Sequence, residues 1–291
     1  MEHKYAEVNG VKLHYVCSGS GKLMLFLHGF PEFWYEWKNQ LAEFGQDYFA
    51  VAPDMRGYNL SDKLESVTDY QVDVLVDDVK ALADHLGYSK FTLIAHDWGG
   101  AIAWVFALKY PSYLEKLIII NAPHPIVFQR ELIENPAQQE ASQYMLVFRS
   151  EVAESMLSSE NYALLVQNTL SEGLEKGFFT EEDKQAYLAA WSQPGALTGG
   201  LNYYRAAEVG PPSSEDDKSR LTAFSSNFPD PIIQVPTLVI WGEKDPYLLL
   251  GNLEGLSDYV PNLTIKRIED GSHWVVHEQP KLVNQYIREF I

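Results

Sequence analysis

The sequence predicts an α/β protein in which a mostly parallel central sheet is flanked by helices and carries a helical lid inserted at the carboxyl ends of the strands. Two observations carry this reading. Short β-branched or aliphatic runs, of the kind buried parallel strands produce, alternate with amphipathic helical patterns over most of the chain. That alternation stops after Ile120 and resumes only at Thr237.

The elements follow in order. Val8-Asn9-Gly10-Val11 carries the Asn-Gly pair of a tight hairpin between two short alternating segments. Strands are expected at Leu23–Leu27, Phe49–Ala52, Phe91–Ala95, Leu117–Ile120, Leu238–Trp241 and Thr264–Ile268. Val72, Leu75, Val79, Leu82 and Leu86 recur at helical spacing, with Gly87 as the stop. A second helix runs from Gly99 to Tyr110 and is ended by Pro111, and a third spans Pro280 to Ile291. Between Pro123 and Pro231 strand signals largely vanish, and helices separated by Pro, Gly and Ser breaks lead to a polar segment, Gly210 to Arg220. The organisation is therefore a core of residues 1–122 and 232–291 around a lid of residues 123–231.

Composition narrows the partners. The 291 residues hold 22 Lys+Arg against 40 Asp+Glu, a net charge of −18, with no basic cluster to neutralise phosphates. Nucleic acid and an anionic membrane surface are thus disfavoured. Cys17 is the only cysteine, so there is no intramolecular disulfide and no zinc-type Cys/His cluster. No signal-like apolar start or membrane-length run appears, and a reducing cytoplasm is the expected location. The sequence leaves the oligomeric state open.

Chemistry concentrates in Ala95-His96-Asp97-Trp98-Gly99-Gly100, where a strand meets a helix through a sharp turn with small neighbours. This is the pattern of a nucleophile elbow with Asp97 at its centre. A carboxylate nucleophile implies an alkyl-ester intermediate. Taken alone, the segment fits equally well an Asp that caps the following helix. Its partners decide between these readings. Asp245 follows the strand Leu238–Trp241 and His273 follows Thr264–Ile268, in the order nucleophile, acid, histidine. All three fall past strand ends on the sheet edge where such folds bind ligands. His28-Gly29-Phe30-Pro31 follows Leu23–Leu27, and the backbone N–H groups of Phe30 and Trp98 are the expected oxyanion donors.

Other candidates read as structural. Asp54 in Asp54-Met55-Arg56-Gly57 lacks an elbow and fits an Asp–Arg pair, while His96 should point away from the nucleophile. His273 and His277 have the spacing of a metal pair but no zinc-protease glutamate, and His124 marks an exit into the lid. No metal or organic cofactor is expected.

These stretches resemble the epoxide hydrolase family of α/β-hydrolases over essentially the whole chain. The resemblance rests on His28-Gly29-Phe30-Pro31-Glu32, Asp54-Met55-Arg56-Gly57-Tyr58, His96-Asp97-Trp98-Gly99-Gly100, Trp241-Gly242-Glu243-Lys244-Asp245 and Gly271-Ser272-His273-Trp274. It implies two lid tyrosines that donate to the epoxide oxygen, Tyr144 in Ser142-Gln143-Tyr144-Met145 and Tyr204 in Leu201-Asn202-Tyr203-Tyr204-Arg205. Neighbours on a helix point about 100° apart, so Tyr203 and Tyr204 cannot both face the nucleophile, and the family pattern selects Tyr204.

The function implied is opening of a small-molecule epoxide to a vicinal diol. Haloalkane dehalogenases share an Asp nucleophile followed by tryptophan, but many place Asn where Phe30 stands. Fluoroacetate dehalogenases follow their nucleophile with arginines, where this chain has Trp98 and Ala101. A non-enzymatic ligand-binding protein of the same fold is the remaining alternative. The paired phenols favour the epoxide, because its leaving oxygen stays attached to carbon and must be protonated.

Overall fold

A computed structural model describes residues 1–214, 216–219 and 231–291. Its strands are β1 (Glu2–Val8), β2 (Val11–Ser18), β3 (Leu23–Leu27), β4 (Phe49–Pro53), β5 (Phe91–His96), β6 (Leu114–Ile120), β7 (Thr237–Gly242) and β8 (Leu263–Ile268). They form one sheet in the order β1-β2-β4-β3-β5-β6-β7-β8. The β1–β2 and β2–β4 pairs are antiparallel, and every other pair is parallel. Val8 faces Val11 across the first hairpin, with Asn9 and Gly10 both at positive φ as a two-residue turn of this hand requires.

The unbroken apolar runs have a simple cause, since both faces of the sheet are covered. Leu25, Leu27, Leu93, Ile119 and Val239 pack toward α2 (Val72–His85), α3 (Asp97–Lys109) and the lid. Met24, Phe26, Ile94, Ile118 and Ile240 pack on the other side against α1 (Lys38–Phe44) and the last helix, Pro280–Phe290. Alternation along each strand thus feeds two cores. Gly87 stands at φ +85° just past α2, where its expected stopping role places it.

Between β6 and β7 the chain leaves the sheet as a helical insertion: α4 (Pro125–Glu134), α5 (Pro136–Ala141), α6 (Gln143–Arg149), α7 (Ala153–Leu165), α8 (Ser171–Lys176), α9 (Glu181–Trp191) and α10 (Ala196–Ala207). The expected lid end at 231 abuts residues 220–230, which lie outside the described residues, as do Glu215 and Arg220 of the polar segment. One of the Ser breaks lies inside α7, where Ser159 is extended and Glu160, Asn161 and Tyr162 follow it in left-handed conformation.

The insertion is bonded down onto the core. Trp191 Nε1 donates to the Pro31 carbonyl at 2.6 Å, and the Tyr203 hydroxyl donates to the Arg56 carbonyl at 2.8 Å. Asp183, in the capping box that opens α9, accepts from the Tyr35 hydroxyl and pairs with Lys38.

The expected Asp54–Arg56 pair is not formed. Arg56 forks onto Asp78 of α2 through two contacts of 2.7 Å. Asp54 instead binds His14 Nδ1 of β2 at 2.6 Å and accepts from the Trp34 N–H and the Asn59 amide. Residues two apart in this turn face different neighbours, which their proximity in sequence does not reveal. Among the described residues no helix is long and apolar enough to cross a membrane.

Candidate active site

Asp97 sits at the junction of β5 and α3 with φ +49°, a left-handed conformation that costs energy for any residue with a Cβ. The tight bend needs bare neighbours. A Cβ on Gly29 would come within 2.3 Å of Asp97 Cβ, and one on Gly99 within 2.3 Å of the Leu27 carbonyl oxygen. The bend lifts the Asp97 side chain clear of the sheet, where it remains 13% exposed. The Phe30 N–H donates to Asp97 Oδ1 at 2.8 Å. Trp98 occupies the first turn of α3, where intrahelical bonding leaves N–H groups free.

His273 lies across from this carboxylate, its Nε2 3.6 Å from Asp97 Oδ2. Its Nδ1 meets Asp245 Oδ2 at 2.7 Å. The turn that carries His273 is pinned by Glu278, which accepts from both the N–H and the hydroxyl of Ser272. Asp245 Oδ1 accepts from the N–H groups of Tyr247 and Leu248, at 2.8 and 2.9 Å. Burial pushes the Asp245 carboxyl up, but the adjacent His273 ring and these hydrogen bonds outweigh it and hold the group below the usual carboxylate range. The structure thus gathers Asp97, His273 and Asp245 from the ends of β5, β8 and β7 at one edge of the sheet.

The lid supplies the opposite wall. Tyr204 is 3% exposed, its ring edge-on to Trp98 with centroids 5.0 Å apart and 6.3 Å from that of Tyr144. Phe148 bridges Phe30, Tyr144 and Tyr204, and Tyr247 spans from Tyr144 to His273. A continuous aromatic surface therefore runs from the Phe30 turn to the His273 ring. Burial pushes both lid phenols well above the usual tyrosine range, and the Asp97 charge adds to this in each case. Tyr203 turns the other way, toward the core, through its bond to Arg56.

Sequence reasoning missed three buried polar groups here. Asn121, at φ +38° just past β6, donates to Asp245 Oδ2 at 2.7 Å and accepts from the Gly242 N–H at 2.8 Å. Its signal was a lone Asn after an apolar strand, which says nothing about the neighbouring strand it will face. Glu32 is held by the Tyr187 hydroxyl and by His277 Nε2 at 3.0 Å. That pair occupies His277, and no group of His, Cys, Asp and Glu suited to a metal forms among the described residues. Glu36 lies 2.7 Å from His96 Nδ1, and His96 points away from Asp97 toward the His273 backbone.

Because Asn121 holds Asp245, Asn121→Ala is expected to slow breakdown of a covalent intermediate on Asp97 by roughly 10–100-fold. Formation of that intermediate should be far less affected. Rapid-quench measurement of the two steps separates these outcomes; equal slowing of both would place Asn121 outside this role.

Residues 22–280 match the family model of the alpha/beta hydrolase fold. Epoxide hydrolase 4 of Mus musculus is 40% identical over 301 residues, covering 99% of this chain and 79% of its own. The crystal structure of Bacillus megaterium epoxide hydrolase in complex with an inhibitor superposes with a TM-score of 0.93 at 41% identity over 99% of both chains. A mutant of an epoxide hydrolase from the same organism, complexed with its product, a naphthyloxy-propanediol, gives 0.92 at 41% identity and the same coverage.

Proposed function

The chain belongs to the epoxide hydrolases of the α/β-hydrolase fold, and from that premise we propose that it opens an epoxide to a vicinal diol through an alkyl ester on Asp97. The observation that carries this reading is the division of labour between the two Asp97 oxygens. Oδ1 is bound by the Phe30 N–H, while Oδ2 is not and lies 3.6 Å from His273 Nε2.

In the first half-reaction Oδ2 attacks one epoxide carbon in line, and Tyr144 and Tyr204 donate to the oxygen as its bond to carbon breaks. Phenols held above their usual range stay protonated, as donors must. In the second half-reaction His273 takes a proton from water, with Asp245 fixing its tautomer and orientation. That water attacks Cγ of the ester, and negative charge gathers on Oδ1, where the Phe30 N–H already points and the Trp98 N–H is the second donor. The tetrahedral intermediate collapses as the His273 imidazolium returns its proton to the departing alkoxide, which leaves as the diol, and loss of the remaining carboxyl proton, to a phenol that gave up its own or to water, restores the Asp97 carboxylate. Aromatic walls suit an apolar substituent on the epoxide. The single cysteine, buried Cys17, supports a reducing compartment such as the cytoplasm.

A single turnover in ¹⁸O-water with enzyme in excess tests the reading. Mostly unlabelled diol and label on Asp97 are expected, with labelled diol appearing after several turnovers. Labelled diol from the first turnover would mean that water attacks the epoxide directly. With a haloalkane substrate little or no halide release is expected, because the site is built to protonate an oxygen that stays attached.

A further inference from the structure

Gln138 belongs to α5 of the lid and is fully buried. Its amide makes all four hydrogen bonds that such a group can form. Nε2 donates to the Tyr247 carbonyl at 2.7 Å and to Ser142 Oγ at 2.9 Å. Oε1 accepts from the Leu249 N–H at 2.9 Å and from Asn252 Nδ2 at 2.8 Å. The two backbone partners are of opposite kind, so the amide fits in one orientation only. Turned over, it would set donor against donor at Leu249 and acceptor against acceptor at Tyr247.

The backbone it grips is the one that orients the triad acid. Asp245 Oδ1 accepts from the N–H groups of Tyr247 and Leu248. The segment 247–249 is therefore held from two sides, by Asp245 within its own loop and by Gln138 from the lid. The Tyr247 ring rides on the same segment, its centroid 5.3 Å from that of His273. A buried amide, even with every bond made, gains little net stability over a well-packed apolar side chain, but its bonds are directional. Such a group fixes geometry more than it fixes the fold. Its bond to Ser142 also reaches the start of α6, which carries Tyr144. That start has a second tie, the Ser142 N–H to the Gln138 carbonyl at 3.0 Å, which does not depend on the side chain.

We propose that Gln138 is a positioning residue for ester hydrolysis: by fixing residues 247–249 it holds the Asp245 carboxylate in the direction that orients His273. The lid thereby governs the second half-reaction as well as the first. The inference rests on the reading of Asp245 as the acid that orients the base. Gln138 touches no reacting atom and acts through Tyr247 and Leu249. The phenols of the lid act while the epoxide opens, and its buried amide acts when water attacks the ester.

Gln138→Met keeps the length of the side chain and removes all four bonds. It is expected to slow ester hydrolysis roughly 10–100-fold, the scale of a small misplacement near a reacting centre, while alkylation stays within about three-fold of wild type. Rapid-quench kinetics with an aryl epoxide reads both steps. Because the effect passes through Asp245, the same substitution made in an Asp245→Asn enzyme should slow hydrolysis by less than about three-fold more. A loss that came only from weakened packing would add in full. In ¹H NMR the low-field resonance of His273 Nδ1–H should shift in Gln138→Met, since the carboxylate it meets has turned. Should Gln138→Met not fold, Gln138→Asn, which keeps the amide but draws it back by one methylene, is expected to show the same asymmetry between the two steps. Hydrolysis at the wild-type rate, equal slowing of both steps, full additivity with Asp245→Asn, or an unshifted His273 resonance would each overturn the proposal. An Asp245→Asn enzyme that hydrolyses its ester at the wild-type rate would overturn the acid assignment and the positioning role with it. The His273 resonance would still report whether Gln138 sets the contact between Asp245 and His273.

Discussion

His273→Gln is expected to lower steady-state turnover by at least about 10⁴-fold while the protein still reacts once with its epoxide. Two geometric facts lie behind this. His273 Nε2 stands 3.6 Å from Asp97 Oδ2, outside hydrogen-bond reach, so the resting carboxylate does not depend on the ring. Attack on the epoxide uses that free oxygen, whereas water can be activated only by an unprotonated ring nitrogen whose opposite side is fixed by Asp245. Intact-protein mass spectrometry of the variant should therefore show a stoichiometric adduct equal to the epoxide mass, located on Asp97. Wild-type turnover, or an adduct on another residue, would refute the assignment.

The second large effect is expected in the lid. Tyr144→Phe and Tyr204→Phe should each slow alkylation by up to about 10²–10⁴-fold, or roughly 3–5 kcal/mol of barrier, and the double variant should be nearly dead toward epoxides. The loss falls on formation of the ester, because charge builds on the epoxide oxygen only there. Since burial and the Asp97 charge raise both phenols, alkylation should not decline through pH 10 from their ionisation. Unchanged single-turnover alkylation in the double variant would remove the tyrosines from the chemistry. Selective loss of ester hydrolysis would place them in the wrong half-reaction.

Features encoded locally were the legible ones. Leu23–Leu27 and the Asn9-Gly10 hairpin are found where their patterns put them, because both-face burial and turn chemistry act within a few residues. The Asp97 elbow was legible for the same reason, since steric demand at one bend fixes Gly99 close by. Partnerships across the sheet were not. Asn121 meets Asp245 only because β6 and β7 are neighbours, and no spacing in the chain encodes that. Asp54 and Arg56 failed for the same reason: each found a partner on a different element, His14 on β2 and Asp78 on α2. Glu36 was hidden among aromatics, although a lone carboxylate in such a run is itself a sign of burial with a partner. In the lid, Ser159 marks the break inside α7, but nothing in Glu160-Asn161-Tyr162 signals the left-handed conformation that follows it.

The insertion between β6 and β7 bears on how enzymes of this shape can diversify. These strands are parallel neighbours, with Leu117 opposite Thr237, so the points where the chain leaves and rejoins the sheet are only on the order of 10 Å apart. A plain crossover would need about a dozen residues. Here the connection is roughly ten times longer, which adds only about 2 kcal/mol of loop-closure entropy because that cost grows with the logarithm of length. A few docking bonds, such as those of Trp191 and Tyr203, are of the right size to offset it. The entropic cost is also indifferent to what the connection contains. Lids of different length can therefore be exchanged at this one junction while the strand ends that carry Asp97, Asp245 and His273 are inherited unaltered, so long as each lid again brings phenols to where Tyr144 and Tyr204 stand.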